Sequence, residues 1–128
     1  MTRALRACCA VLCLALPLAA GACGVCIEDN VAVTYDHAVV ERAAARGHVV
    51  VFASIDARTA PQAASDGVKA AAMRVRGVDR GTVRAAIAPL AVSFALDPHV
   101  QAPAAALAAI EKSAAQPGLR LTLLRVVD

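Results

Sequence analysis

Two stretches of the chain repeat one apolar spacing. Ala64, Val68, Ala71 and Val75 step by four, three and four residues, and Pro103, Leu107, Ile110 and Ala114 step the same way. That spacing lines one face of an α-helix with apolar side chains. Each stretch is bracketed by strand-like sequence. Residues 48–55 (HVVVFASI) are rich in β-branched residues and almost continuously apolar, as in a strand buried on both faces. Val83, Ala85 and Ile87 alternate with Thr82, Arg84 and Ala86. Val92, Phe94 and Leu96 alternate with Ala91, Ser93 and Ala95, and Pro89 marks a tight connection between these two runs. After Pro117-Gly118, residues 119–127 supply a last strand. The order β-α-β-β-α-β predicts an α+β fold of the ferredoxin-like, split βαβ kind.

A chain of 128 residues makes one compact domain, and 59% apolar content supplies its core. Tyr35, Phe52 and Phe94 are the aromatic residues, so that core is aliphatic and built from small side chains. A net charge of +3 and so few aromatics argue against a nucleic-acid-binding surface. No apolar run reaches the ~20 residues of a membrane helix.

The first 22 residues read as a secretory signal peptide. Arg3 and Arg6 form a basic start, residues 7–18 an uncharged and mostly apolar run, and Ala20-Gly21-Ala22 a small-residue cleavage site. The expected product is exported, periplasmic or secreted. A lipoprotein signal is the competing reading, because Cys23 follows the small residues directly. Ala20 stands where such signals usually carry Leu. Unless Cys23 is lipidated, no membrane attachment is expected. Cleavage after Ala22 removes Arg3, Arg6, Cys8, Cys9 and Cys13, leaving a nearly neutral chain with two cysteines, Cys23 and Cys26.

Residues 23–47 hold this Cys-x-x-Cys and one extra N-terminal helix. Between 28 and 46 there is no Gly or Pro, and Ile27, Val31, Tyr35 and Val39 fall four apart. Glu28 and Asp29 near its start and Arg42 and Arg46 near its end suit the helix dipole, and Gly47 is placed to end it.

Residues 48–128 resemble a heavy-metal-associated domain, the fold of copper chaperones and metal-pump modules. The resemblance rests on Arg76-Gly77-Val78-Asp79, on Val83-x-Ala85-x-Ile87, on Val92-Ser93-Phe94-Ala95-Leu96-Asp97-Pro98 and on Leu107-Ala108-Ala109-Ile110-Glu111. It implies metal binding through a Cys-x-x-Cys in the loop after the first strand. Here that loop is Ser54-Ile55-Asp56-Ala57-Arg58-Thr59, without a thiol, so the family's metal residues do not carry over to it.

The resemblance also implies a sheet covered by helices on one face and open on the other. Val50 and Phe52, with Leu124 and Val126 of the last strand, would make that second face apolar, and the N-terminal helix is the available cover. A helix of ~17 residues and a strand of eight each span ~26 Å. A helix folded back along the strand would therefore return Cys23 and Cys26 to the 54–59 loop. Two thiolates at a helix start can chelate a soft metal such as Cu(I) or Zn(II), and Zn(II) needs further ligands. The expectation is an exported, non-catalytic module that binds or passes metal through Cys23 and Cys26, with another metal-handling protein or a second copy of itself as partner. The alternative is a metal-free structural or interaction domain with a Cys23–Cys26 disulfide. A thiol–disulfide exchange role is a further reading of the same pair. His37, His48 and His99 are read as surface residues, and no His is placed to serve a Ser or Thr nucleophile.

Overall fold

The structure, a computed structural model, describes residues 22–128, with side chains from residue 27 onward. The expected signal peptide lies outside the described residues except for its last residue, Ala22. The chain forms α1 (Ala22–Ala32), α2 (His37–Ala45), β1 (Val49–Asp56), α3 (Pro61–Ala72), β2 (Arg84–Ile87), β3 (Leu90–Leu96), α4 (Pro103–Ala114) and β4 (Arg120–Val127). The four strands make one sheet in the order β2-β3-β1-β4, and every pairing is antiparallel. This is the ferredoxin-like β-α-β-β-α-β arrangement expected from the sequence.

Strand β1 pairs on both sides and is covered on both faces. Val51, Ala53 and Ile55 point into a core shared with Val92, Phe94 and Leu96 of β3, Val68 and Ala71 of α3, and Leu107 and Ile110 of α4. Val50 and Phe52 point the other way, into a smaller core with Val31, Val39, Ala43 and Ala95. Burying a side chain of Val or Phe size contributes about 1.5–3 kcal/mol, so neither face of β1 could be left wet at small cost. Ala64, Ala71, Ala72 and Ala106 are fully buried; with so little bulk, α3 and α4 can lie close against the sheet.

Of the residues that carried the family resemblance, Val92, Phe94, Leu96, Leu107 and Ile110 fill the core, while Gly77, Asp79, Asp97 and Glu111 fix the backbone. Gly77 takes φ +87, with Val100 and Leu96 crowding the position a Cβ would occupy. Its carbonyl accepts the Asp97 N–H at 2.8 Å, and the Asp79 N–H reaches the Ala95 carbonyl at 3.0 Å. Asp97 Oδ1 accepts from the His99 N–H, and Glu111 Oε1 accepts from the Leu121 N–H. Gly77 and Asp79 tie the connection after α3 to the end of β3, Asp97 closes its own turn, and Glu111 ties the end of α4 to the start of β4.

Two expectations are corrected. The stretch 28–46 is two helices, not one. Asp36 leaves the helical region (φ −133, ψ 110), and its Oδ1 accepts from Ala38 N at 3.0 Å and Val39 N at 3.3 Å. Asp prefers this capping role to a helix interior. The preceding carbonyl of Thr34 is taken by the Ser93 hydroxyl at 3.0 Å. Sheet contacts and a local cap together interrupt a sequence that lacks any breaker. In β4, Leu124 packs on the second face as expected, but Val126 does not. A β-bulge shifts the register between Phe52 and Ala53, so that Val126 stands opposite Val51 and Val127 opposite Val50. The extra residue reverses the alternation beyond it.

The hydrogen bond from Val39 N–H, joined by that from Ala38 and by the Arg84 guanidinium, holds the Asp36 carboxyl below its ordinary value of 3.8. Because the folded value is the lower one, the stabilisation is complete above the ordinary value and is lost as pH falls through the folded one. Asp36→Ala is therefore expected to lower the urea midpoint at neutral pH by an amount that shrinks as the pH is taken below about 3.8.

Candidate metal centre

The loop after β1 is the place where the family resemblance would look for thiols. Here it is closed by polar contacts from the connection between α4 and β4. Thr59 Oγ1 donates to Gln116 Oε1 at 3.2 Å, and Gln116 Nε2 donates to the Ala63 carbonyl at 3.2 Å. Gly118, with φ +70, lies against the side chain of Arg58. Asp56 stands opposite Arg120 at the end of the β1–β4 ladder. The amide of Gln116 also lies where a Cβ at Gly67 would be. Gly67, which weakens α3 as a helix former, thus makes room for the clasp. The Thr59 hydroxyl, the Gln116 amide and the Ala63 carbonyl are hard oxygen and nitrogen groups already engaged with each other, a poor match for a soft ion.

The backbone is helical at both Cys23 and Cys26; their side chains lie outside the described residues. What is described is how the rest of that segment reaches the sheet. Glu28 forms an ion pair with Arg125 of β4. Ile27 and Val31 pack on the core around Phe52. The Thr34 carbonyl accepts from Ser93 of β3, and Asp36 meets Arg84 of β2 at 3.4 Å. Arg125, Phe52, Ser93 and Arg84 are register neighbours, one from each strand. The stretch 28–36 therefore runs along one row, across the strands. The lengths agree: six residues of helix rise ~9 Å, and β4 to β3 is two strand spacings, ~9.6 Å.

The helix that lies along β1 is α2. Val39 and Ala43 cover Val50 and Ala95, and Arg46 meets Asp79 at 3.3 Å. Gly47, with φ +70, then turns the chain directly into β1. The fold-back that would carry a single helix to the 54–59 loop is thus not the path of the described residues. The sequence does hold a signal for the crosswise path, since Asp36 just ahead of Ala38 and Val39 is a capping pattern. The partners Ser93 and Arg84 carry no such local mark.

The other candidate donors are dispersed. His37 is exposed and meets Glu41 at 3.1 Å. His48 is half-buried rather than on the surface, with Nε2 at 3.9 Å from Asp97 Oδ2, and His99 is exposed. Among the described residues no group of three or more His, Cys, Asp or Glu is placed to hold a metal ion.

No protein-family model matches the chain, and no curated protein matches it in sequence. Among solved structures, a copper binding domain from a P-type ATPase is similar, with a TM-score of 0.50 and 20% identity over 61% of this chain and 96% of that one. The similarity shows the fold: this chain shares the ferredoxin-like architecture of that domain and has two helices ahead of it.

The clasp has a thermodynamic test. Gly→Ala inside a helix normally gains up to ~1 kcal/mol. Gly67→Ala is expected to gain nothing or to destabilise, because the Gln116 amide must leave its partners. In a Gln116→Ala background the same change should stabilise, a coupling that denaturant midpoints of the four chains will show.

Proposed function

We propose that this is an exported, non-catalytic module that binds or passes a soft metal ion, Cu(I) or Zn(II), through Cys23 and Cys26. The observation that carries the reading is that both cysteines fall within α1, whose later residues are held to the sheet through Glu28, Val31 and Thr34. Residues three apart on a helix are neighbours on one face, so one ion can engage both sulfurs. The docked end gives the pair a fixed tether to the domain.

Thiolate donors favour Cu(I) and Zn(II) over harder ions. A helix N-terminus lowers a thiol pKa and so favours the thiolate, while the carboxylates of Glu28 and Asp29 oppose it. Cu(I) is satisfied by two sulfurs, whereas Zn(II) calls for four ligands, and the rest would come from a metal-handling partner or a second copy. Export follows from the leader-like residues 1–22, and in an oxidising compartment the pair must be kept reduced, or already metallated, to serve this role. The similarity to a copper binding domain supports the reading at the level of architecture. The engaged groups of the 54–59 loop, which has no thiol, support looking to the N-terminal pair instead.

The test is a competition titration of the reduced chain lacking residues 1–22 with Cu(I) against a chelator of known affinity. One equivalent should bind, and Cys23→Ser, Cys26→Ser and the double variant should each lose at least ~100-fold in affinity, about 2.7 kcal/mol. Equal affinity in the double variant removes the site and leaves the alternative, a metal-free interaction domain with a Cys23–Cys26 disulfide.

A further inference from the structure

We propose that the cavity between the connection after α3 and the outer side of α4 binds a phosphate monoester. Arg74, Arg76 and Ser113 would hold the phosphate, and Val75, Val100 and Ala109 the organic part. These residues line a space of about 370 Å³, within the ~300–1,000 Å³ usual for a small-molecule site.

The two sides of the cavity are fastened to each other. The Gly77 carbonyl takes the Asp97 N–H at 2.8 Å, and Gln101 Nε2 donates to the Arg76 carbonyl. Val100 Cβ lies 3.0 Å from the point where a Cβ at Gly77 would stand. The positive φ at Gly77 brings the two connections this close, and only glycine supplies it without strain. Arg74 to Arg76 on one side and Val100 on the other are therefore carried on backbone that is tied in place before any ligand arrives.

The charge of the lining selects the ligand. It holds two guanidinium groups and no carboxylate. Arg46, Arg84 and Arg125 each pair with an acidic side chain. Arg76, by contrast, makes no side-chain hydrogen bond or ion pair among the described residues, and Arg74 gives an N–H only to Ser113 Oγ, at 3.3 Å. The carboxylates nearest in the chain are engaged elsewhere: Asp66 accepts from Gln62, Asp79 pairs with Arg46, and Asp97 accepts from the His99 N–H. Because Ser113 Oγ accepts from Arg74, its own O–H is left to donate. Two positive charges and a hydroxyl suit an anion with about two negative charges and three acceptor oxygens. A phosphate monoester has both, whereas a carboxylate has one charge and two oxygens. Guanidinium forks take such oxygens in pairs. Val100 is 46% exposed, and with Val75 and Ala109 it offers the ester an apolar wall that inorganic phosphate cannot use.

The test is an NMR titration of the purified, metal-free chain with phenyl phosphate at low ionic strength. Amide signals of Val75, Val100, Ala109 and Ser113 should shift together and saturate. Inorganic phosphate, which lacks the organic part, and benzoate, which lacks the second charge, should each bind more weakly than phenyl phosphate. Arg76→Gln and Ala109→Glu should each weaken phenyl phosphate at least ~10-fold with unchanged circular dichroism spectra. Arg80→Gln, which removes an exposed arginine outside the cavity, should leave its binding nearly unchanged. Shifts that do not saturate, binding of inorganic phosphate or benzoate as tight as that of phenyl phosphate, or an equal loss in Arg80→Gln overturns the proposal. No metal is present, so failure of the Cys23–Cys26 site would leave these outcomes unchanged.

Discussion

The structure depends on a strand that cannot meet water on either side. Val50 to Ala53 of β1 are all buried, and they belong alternately to two cores. A ferredoxin-like unit with helices on one face satisfies half of this requirement. The N-terminal helices satisfy the other half, and without them Val50, Phe52 and Ala95 would form an apolar strip on an otherwise polar surface. The two added helices are therefore part of the fold as the sequence of β1 writes it.

How they attach decides what else they can do. One row of the sheet, with a residue from each strand, receives the stretch 28–36: an ion pair at each end, Phe52 under the middle with the Tyr35 ring stacked at 6.2 Å, and the Ser93 hydroxyl on a backbone carbonyl. Neighbouring contacts on a rigid sheet hold a short helix better than its own propensity would. Helices of nine and eleven residues are marginal on their own in water. The segment bearing the cysteines is thus positioned by tertiary contacts, while the loop that bears thiols in the resembling family is committed to Gln116.

Much of this was legible in the sequence, and the reasons differ by residue. The two faces of β1 and β3 follow from strict alternation, which tolerates no slip when both faces are buried. Gly77, Asp97 and Glu111 were visible because each performs a backbone task that few residue types can do. The missing thiols in 54–59 were visible by inspection, but the clasp that fills their place was not, because Gln116 is 57 residues from Thr59. The break at Asp36 was missed because the stretch has no Gly or Pro; its local mark is the capping Asp36 itself, and the β3 hydroxyl that completes it lies 59 residues from Thr34. Val126 was misplaced by a bulge, an irregularity that leaves no local mark in LTLLRVV.

The ion pair between Glu28 and Arg125 joins positions 97 apart in the chain. A ribosome releases Arg125 long after Glu28, and the Ser93 hydroxyl that donates to the Thr34 carbonyl also emerges well after that carbonyl. Until those residues arrive, α1 and α2 have no surface to lie on. Cys23 and Cys26 therefore leave the ribosome well before the strands that seat their helix, and over that interval the pair rides on chain with no sheet to dock against.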